Sequence, residues 1–383
     1  MTELLFIDQP TTLQDLTAAL QGTPWLALDT EFYREKTYFP QLCLVQIATA
    51  DMTACIDPLA LPDLIPLQSL LGDRQTVKVF HAAAQDIEAL LQHLAAAPFP
   101  LFDTQIAAAL LGYGDQPGYA RLVRDLLGVK LDKSQTRTDW ARRPLLPAQL
   151  AYAADDVRYL GPIYQRLTHQ LKAKGRLDWL TEDFASLADS LAYRPNPETA
   201  WQRIRGIHTL HPRQLAILRG LAAWRENLAV ERNQPRKHLA SDEGLLALVR
   251  QPPSTLKQLQ RNKGIPAAIT AQHGEQLLRL MAEAQSLPAT AWPPPPRRQP
   301  LTPSQEALAD AALAILRTCA AQQAISLSML GGRSQIERYL RGERRLPLFT
   351  GWRYHVAGQP IEAFLQGRLQ LQVVMEQLAL RGL

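Results

Sequence analysis

The stretch ALDTEF, residues 27–32, sets two acids, Asp29 and Glu31, one residue apart inside an otherwise apolar run. The run opens at PWLALD, behind the turn-prone Gly22 and Pro24, and reads as a buried strand. Side chains alternate along a strand, so Asp29 and Glu31 share one face. Two carboxylates on one buried face lose hydration and repel each other unless a cation stands between them. The nearest basic residues, Arg34 and Lys36, lie beyond the run. A hard divalent metal is the natural counter-charge, because magnesium takes oxygen ligands and is usually held by one or two carboxylates together with substrate phosphates.

Further acids should then converge on the same place. Asp86, in FHAAAQDIEAL, follows a strand candidate and opens a helix. That position lies at the C-terminal edge of the sheet, a usual place for ligands in such folds, although it equally suits a helix cap. In AYAADDV, Tyr152 and Asp156 are four apart on a helical pattern and so share a face. Asp155 is turned about 100° away on the same helix, which makes it the spare member of the pair.

The first ~190 residues alternate strand-like and helix-like segments and then become mainly helical. This order argues for an α/β domain with a mixed sheet. The segment YRPNPETAW (193–201) marks a boundary, and residues from about 208 to 285 read as helix throughout. AWPPPPRRQP (291–300) reads as a stiff extended linker. A further helical segment opens at LTPSQE, with Thr302 as its cap and Pro303 at its first position.

The chain has 383 residues, 46% of them hydrophobic and 20% charged, as expected of a globular protein of more than one domain. No apolar run approaches the ~18 residues that a membrane span needs. The N-terminal MTELLFIDQP lacks the features of a secretion signal. Cys43, Cys55 and Cys319 are scattered without a CxxC pair, so a disulfide framework or zinc site is not expected and a cytoplasmic location is. The net charge of +5 is uneven: the sequence is net acidic up to about residue 193 and net basic beyond it. A basic half suits a polyanionic partner as well as a merely solvated surface.

The segments LALDTEFYREKTYFPQLCLVQIA, KVFHAAAQDIEALL, FDTQIAAALLGYG, KSQTRTDWARRPL and QLAYAADDVRYL together resemble the ribonuclease D family. These are 3′→5′ exonucleases of the tyrosine-containing branch of the DEDD superfamily. The resemblance covers nearly all of residues 1–200, with the segments in the family's order. It implies a ribonuclease-H-like mixed-sheet exonuclease domain over 1–195. It maps the family's motifs onto Asp29 and Glu31, then Asp86, then Tyr152 with Asp156, all unsubstituted. It further implies two divalent metal ions, Mg²⁺ or Mn²⁺, held among the four acids. One would activate a water and the other would neutralise charge on the leaving 3′-oxygen. Tyr152 would orient the water, since a phenol of ordinary pKa near 10 is a poor base. RNA is the implied partner, tRNA precursors by family analogy, and no membrane or obligate protein partner is indicated. A DNA 3′→5′ exonuclease and a non-catalytic RNA-binding scaffold are the competing readings.

Around this core, Thr30, Phe32, His81, Gln135, Arg142 and Arg143 are candidate substrate contacts. A structural histidine is the alternative for His81, and a solvated loop is the alternative for Gln135 and the two arginines. Asp103 in LFDTQ is read as a cap of the helix that follows. The stretch beginning LHPRQLAILRG, above all RNQPRKHLASDEGLLAL, resembles the HRDC domain, a small all-α bundle, expected here over 205–290. By the family pattern, 300–383 would be a second, diverged HRDC-like bundle. There Trp352 is either a base-stacking residue or part of the core.

Overall fold

In a computed structural model, residues 4–132, 135, 138–294 and 300–382 are described. Six strands build the principal sheet: β1 (Leu4–Ile7), β2 (Trp25–Tyr33), β3 (Gln41–Ala48), β4 (Thr53–Ile56), β5 (Val77–Phe80) and β6 (Leu101–Asp103). Their order is β1-β4-β3-β2-β5-β6. The β1/β4, β2/β5 and β5/β6 pairs are parallel, whereas β3/β4 is antiparallel, so the sheet is mixed. β2 lies inside the sheet between β3 and β5. β3 is buried along its length after Gln41, which is why QLCLVQIA is a nearly continuous apolar run rather than an alternating one.

The chain divides into two compact units. The first holds the sheet and comprises Met1–Phe32, Leu42–Ala192 and Gln299–Leu383. The second comprises Tyr33–Gln41 and Tyr193–Arg298. Within the second unit the helices Pro212–Glu231, Asp242–Arg250 and Ala267–Ser286 close around Leu215, Leu218, Leu221, Leu245 and Leu277.

Two groupings differ from the boundaries read in the sequence. The segment Tyr33–Gln41, inside the 1–195 stretch, belongs to the helical unit. Its Tyr38 is buried in that unit's core and donates its hydroxyl to Glu226 at 2.5 Å. Arg236 donates to both Glu226 (2.7 Å) and the Tyr38 oxygen (2.9 Å). Glu226 is 1% exposed, and a carboxylate so buried is tolerable only when paired and hydrogen-bonded in this way.

The second difference concerns 300–383, set apart in sequence as an all-helical domain. Its long helix Pro303–Gln322 does open on Thr302, whose side chain accepts from the Gln305 N–H. That helix, however, shares one core with the sheet-bearing unit, Ile315 and Leu316 packing in the same cluster as Leu110, Leu122 and Leu167. The Ser326 N–H also donates to the Ala109 carbonyl at 3.0 Å. The chain then ends in an antiparallel hairpin, β7 (Leu369–Val374) with β8 (Gln377–Gly382), so the segment is not all-α. Apolar residues without a self-contained core are drawn onto whichever neighbouring face completes them, and sequence spacing does not say which. Residues 295–299 of the AWPPPPRRQP linker lie outside the described residues. Among the described residues no single helix is long and apolar enough to cross a membrane.

Candidate active site

The interior strand β2 delivers Asp29 and Glu31 on one face, as the period of two requires. Asp156 reaches them from the helix Pro147–Arg158. One carboxylate oxygen from each of Asp29, Glu31 and Asp156 lies within 4.8 Å of the others. Asp86 comes from the first turn of the helix Ala84–Leu90 and is 7% exposed. The Thr30 hydroxyl donates to Asp86 Oδ1 at 2.6 Å, so the acid is held against β2 next to Asp29 and Glu31.

A buried hydrogen-bond system aims Asp86. The turn between β5 and its helix passes through Ala82, whose φ of +62° is a strained setting for a residue with a Cβ. Asp103 at the end of β6 compensates by accepting from the Ala82 (3.2 Å) and Ala83 (2.8 Å) N–H groups. The same carboxylate caps its own helix through the Gln105 (2.8 Å) and Ile106 (3.2 Å) N–H groups. The capping role read for Asp103 is therefore present, but it is half of what the residue does.

Burial dominates the electrostatics. It raises the Asp29 carboxyl well above its usual range, and repulsion from Asp86, Asp156 and Glu31 adds to the effect. Burial pushes Glu31 up to about 8, with Asp156 and Asp86 contributing. Asp86 rises to about 7, again through burial, although its bonds from Thr30 pull the other way. Asp156 rises to about 7 through burial and the neighbouring Asp155, opposed by a hydrogen bond from Tyr152. Four hard oxygen donors that resist ionising in one another's company fit a divalent metal centre, because cations of charge +2 reverse both causes of the shift.

The other sequence candidates are distributed unevenly. Tyr152 bonds to Asp156 and faces the Trp140 ring at 6.1 Å. Asp155, the spare acid, pairs with Arg158. Thr30, a candidate substrate contact, is buried with its hydroxyl given to Asp86, so it positions an acid instead. Phe32 is half-buried near the end of β2. His81 meets Thr104 Oγ1 through Nδ1 at 2.9 Å and lies against the Tyr119 ring, and burial holds its pKa below the usual value. Its Nε2 is buried without a hydrogen-bond partner among the described residues.

Arg143 departs most clearly from its expected role. Nε and Nη2 grip the Asp57 carboxylate at 2.6 and 2.7 Å, Nη2 also reaches the Cys43 carbonyl (2.7 Å), and Nη1 the Trp140 carbonyl (2.7 Å). A guanidinium saturated by internal acceptors is not available to a phosphate. Arg142 beside it is exposed, and Gln135 is half-buried with its carbonyl accepting from the Thr138 N–H. Trp352 stacks on Trp179 at 4.8 Å, in the arrangement of a core residue rather than a base platform.

Tyr119 was not legible beforehand. Its hydroxyl donates to the Asp155 carbonyl at 2.9 Å, and burial with the nearby Asp156 pushes its phenol well above the usual range. Nothing in GYARLV separates it from an ordinary helix-opening aromatic.

A family described as 3′-5′ exonuclease matches residues 4–172, and the HRDC domain matches 214–281. Ribonuclease D of Gluconacetobacter diazotrophicus is 40% identical over 95% of this chain and 94% of its own length. The chain belongs to the ribonuclease D family. The enzyme of that name from Zymomonas mobilis is 38% identical over 98% of this chain and 97% of its own. The crystal structure of Escherichia coli RNase D, described as an exoribonuclease involved in structured RNA processing, superimposes with a TM-score of 0.86. It is 34% identical and covers 96% of this chain and 99% of that one. Ribonuclease D membership makes this chain a 3′→5′ exoribonuclease with one recognisable HRDC domain. A divalent metal requirement accompanies the family, and Asp29, Glu31 and Asp156 form an acidic cluster whose spacing could hold such an ion.

Proposed function

We propose that the chain shortens RNA from its 3′ end by hydrolysis at two divalent metal ions, releasing 5′-mononucleotides, and that it acts in the cytoplasm on tRNA precursors. The observation that carries the reading is the meeting of Asp29, Glu31 and Asp156 within 4.8 Å, with Asp86 fastened beside them by Thr30. These four acids would hold the metals, Mg²⁺ or Mn²⁺. When bound, the ions would supply Lewis acidity for the attacking water and for the departing 3′-oxygen.

The protein's own share is positional. Tyr152, bonded to Asp156, presents a hydroxyl beside the acids, where it orients the water for attack. Asp103 and Thr30 hold Asp86 without entering the chemistry. Exposed Arg142, the half-buried Gln135 and Phe32, and His81 with its unpartnered Nε2 are the substrate contacts that remain after Thr30 and Arg143 are assigned elsewhere. Three buried free cysteines accord with a reducing compartment.

The test is 3′-labelled RNA incubated with Mg²⁺ or Mn²⁺ and then with chelator, next to a matched DNA strand and a tRNA precursor with a 3′ extension. Labelled mononucleotide should appear only with metal, faster from RNA than from DNA, and the precursor should be trimmed. Faster DNA degradation overturns the substrate assignment. An untouched precursor overturns the tRNA assignment alone. Asp29→Asn should abolish turnover while leaving RNA binding intact.

A further inference from the structure

The helix Pro147–Arg158, which carries Tyr152 and Asp156, is interrupted at Tyr159 before the next helix, Leu160–Ala173, begins. Carbonyls in the last turn of a helix lack intrahelical donors. The Tyr159 N–H turns to the Val157 carbonyl. The Asp155 carbonyl takes the Tyr119 hydroxyl, at 2.9 Å. This carbonyl belongs to the peptide that joins Asp155 to Asp156, so whatever holds it fixes the backbone from which the Asp156 carboxylate projects.

The phenol is itself held by the sheet. Its ring packs on the cluster formed by Ala27 of β2, Val79 of β5, and Val157 and Leu160 at the helix break. On another side it lies 5.5 Å from the His81 ring, which is fixed in turn through Thr104. Tyr119 is thus a strut between β2, the strand of Asp29 and Glu31, and the peptide of Asp156. We infer that Tyr119 is a positioning residue, its hydroxyl setting the distance between Asp156 and the acids of β2. The inference rests on the metal-site reading proposed above. An ångström of displacement at such a centre is worth up to about a hundredfold in rate.

Tyr119→Phe removes the hydroxyl and keeps the ring, so the fold is retained. The comparison is Tyr113→Phe, which loses a hydroxyl bond of 3.1 Å to Gln170 in the same unit. Two readouts are needed: kcat and KM on single-stranded RNA, and the Mn²⁺ affinity of the chelator-stripped protein by calorimetry. Tyr119→Phe should lower kcat about tenfold with KM within about twofold, the pattern of an interaction realised only at the transition state. Its Mn²⁺ affinity should fall about threefold or more, because the acids no longer meet at one preset spacing. Tyr113→Phe should leave both readouts unchanged. Wild-type kcat and Mn²⁺ affinity in Tyr119→Phe overturn the inference, and so does a rise in KM alone, which would make Tyr119 an RNA contact. If the wild type binds Mn²⁺ yet leaves RNA intact, the nuclease reading falls, while the Mn²⁺ comparison still judges Tyr119.

Discussion

The Thr30 hydroxyl and the Asp86 carboxylate, 56 residues apart in the chain, meet at 2.6 Å inside the protein. Thr30 lies between Asp29 and Glu31 on β2, so one residue joins the first two acids to the third. A hydrogen bond to a charged group is worth roughly 1.5–3 kcal/mol. Thr30→Val keeps the shape and removes the donor. It should lower kcat by about tenfold or more, since ~1.4 kcal/mol is a factor of ten. Thr30→Ser should recover most of the rate, and a Thr30→Val enzyme as fast as wild type would show that Asp86 needs no such fastening.

Asp103 accepts four backbone N–H groups at 2% exposure. Asp103→Ala strands all four, and the loss should reach roughly 2–4 kcal/mol of stability, a cap and a charged hydrogen-bond set together. Urea unfolding measures it. Activity at low temperature, where the variant stays folded, should also fall, because the turn bearing Asp86 has lost its anchor.

The pH dependence of the metal-free protein follows from the site. Glu31 titrates at about 8 and Asp86 and Asp156 at about 7 in the folded chain, against ordinary values of 4.5 and 3.8. Folded-state values above unfolded ones mean that the folded chain binds more protons across this window, so stability falls as pH rises from about 4 to about 8. With chelator present, the melting temperature should drop between pH 6 and pH 8.5. Magnesium should raise it more at pH 8.5 than at pH 6, since only ionised carboxylates bind the ion. A melting temperature that climbs with pH in chelator would contradict the electrostatics of the site.

The neighbouring arginines 142 and 143 should separate cleanly. Arg143→Ala leaves Asp57, whose side chain is 4% exposed, without its bidentate partner. Breaking a buried pair costs about 3–5 kcal/mol, and the 26% exposure of Arg143 brings the expectation down to roughly 2–3 kcal/mol. Arg142→Ala should leave stability unchanged and raise KM for RNA, more so at low salt, where phosphate contacts are strongest. Denaturation curves and KM values for both variants decide the matter; a KM effect confined to Arg143 would reverse the assignment.

Much of this site was legible in the chain alone. The period of two placed Asp29 and Glu31 on one face, and the four-residue helical spacing placed Tyr152 with Asp156 and left Asp155 spare for Arg158. These are local rules of backbone geometry, which hold wherever the segment ends up. Partners across long stretches of chain follow no such rule. Thr30 with Asp86, Arg143 with Asp57 and Tyr119 with the Asp155 carbonyl look in sequence like any threonine, arginine or tyrosine. The same holds for Tyr33–Gln41, which joins the helical unit, and for the helices beyond 300, which complete the core beside the sheet. The residue types and their local periods determined which acids are offered to a common face and which side of its element each one occupies. Only the packed structure decided what each is held by, because burial and donor–acceptor matching act between surfaces that the chain brings together after its local structure is set.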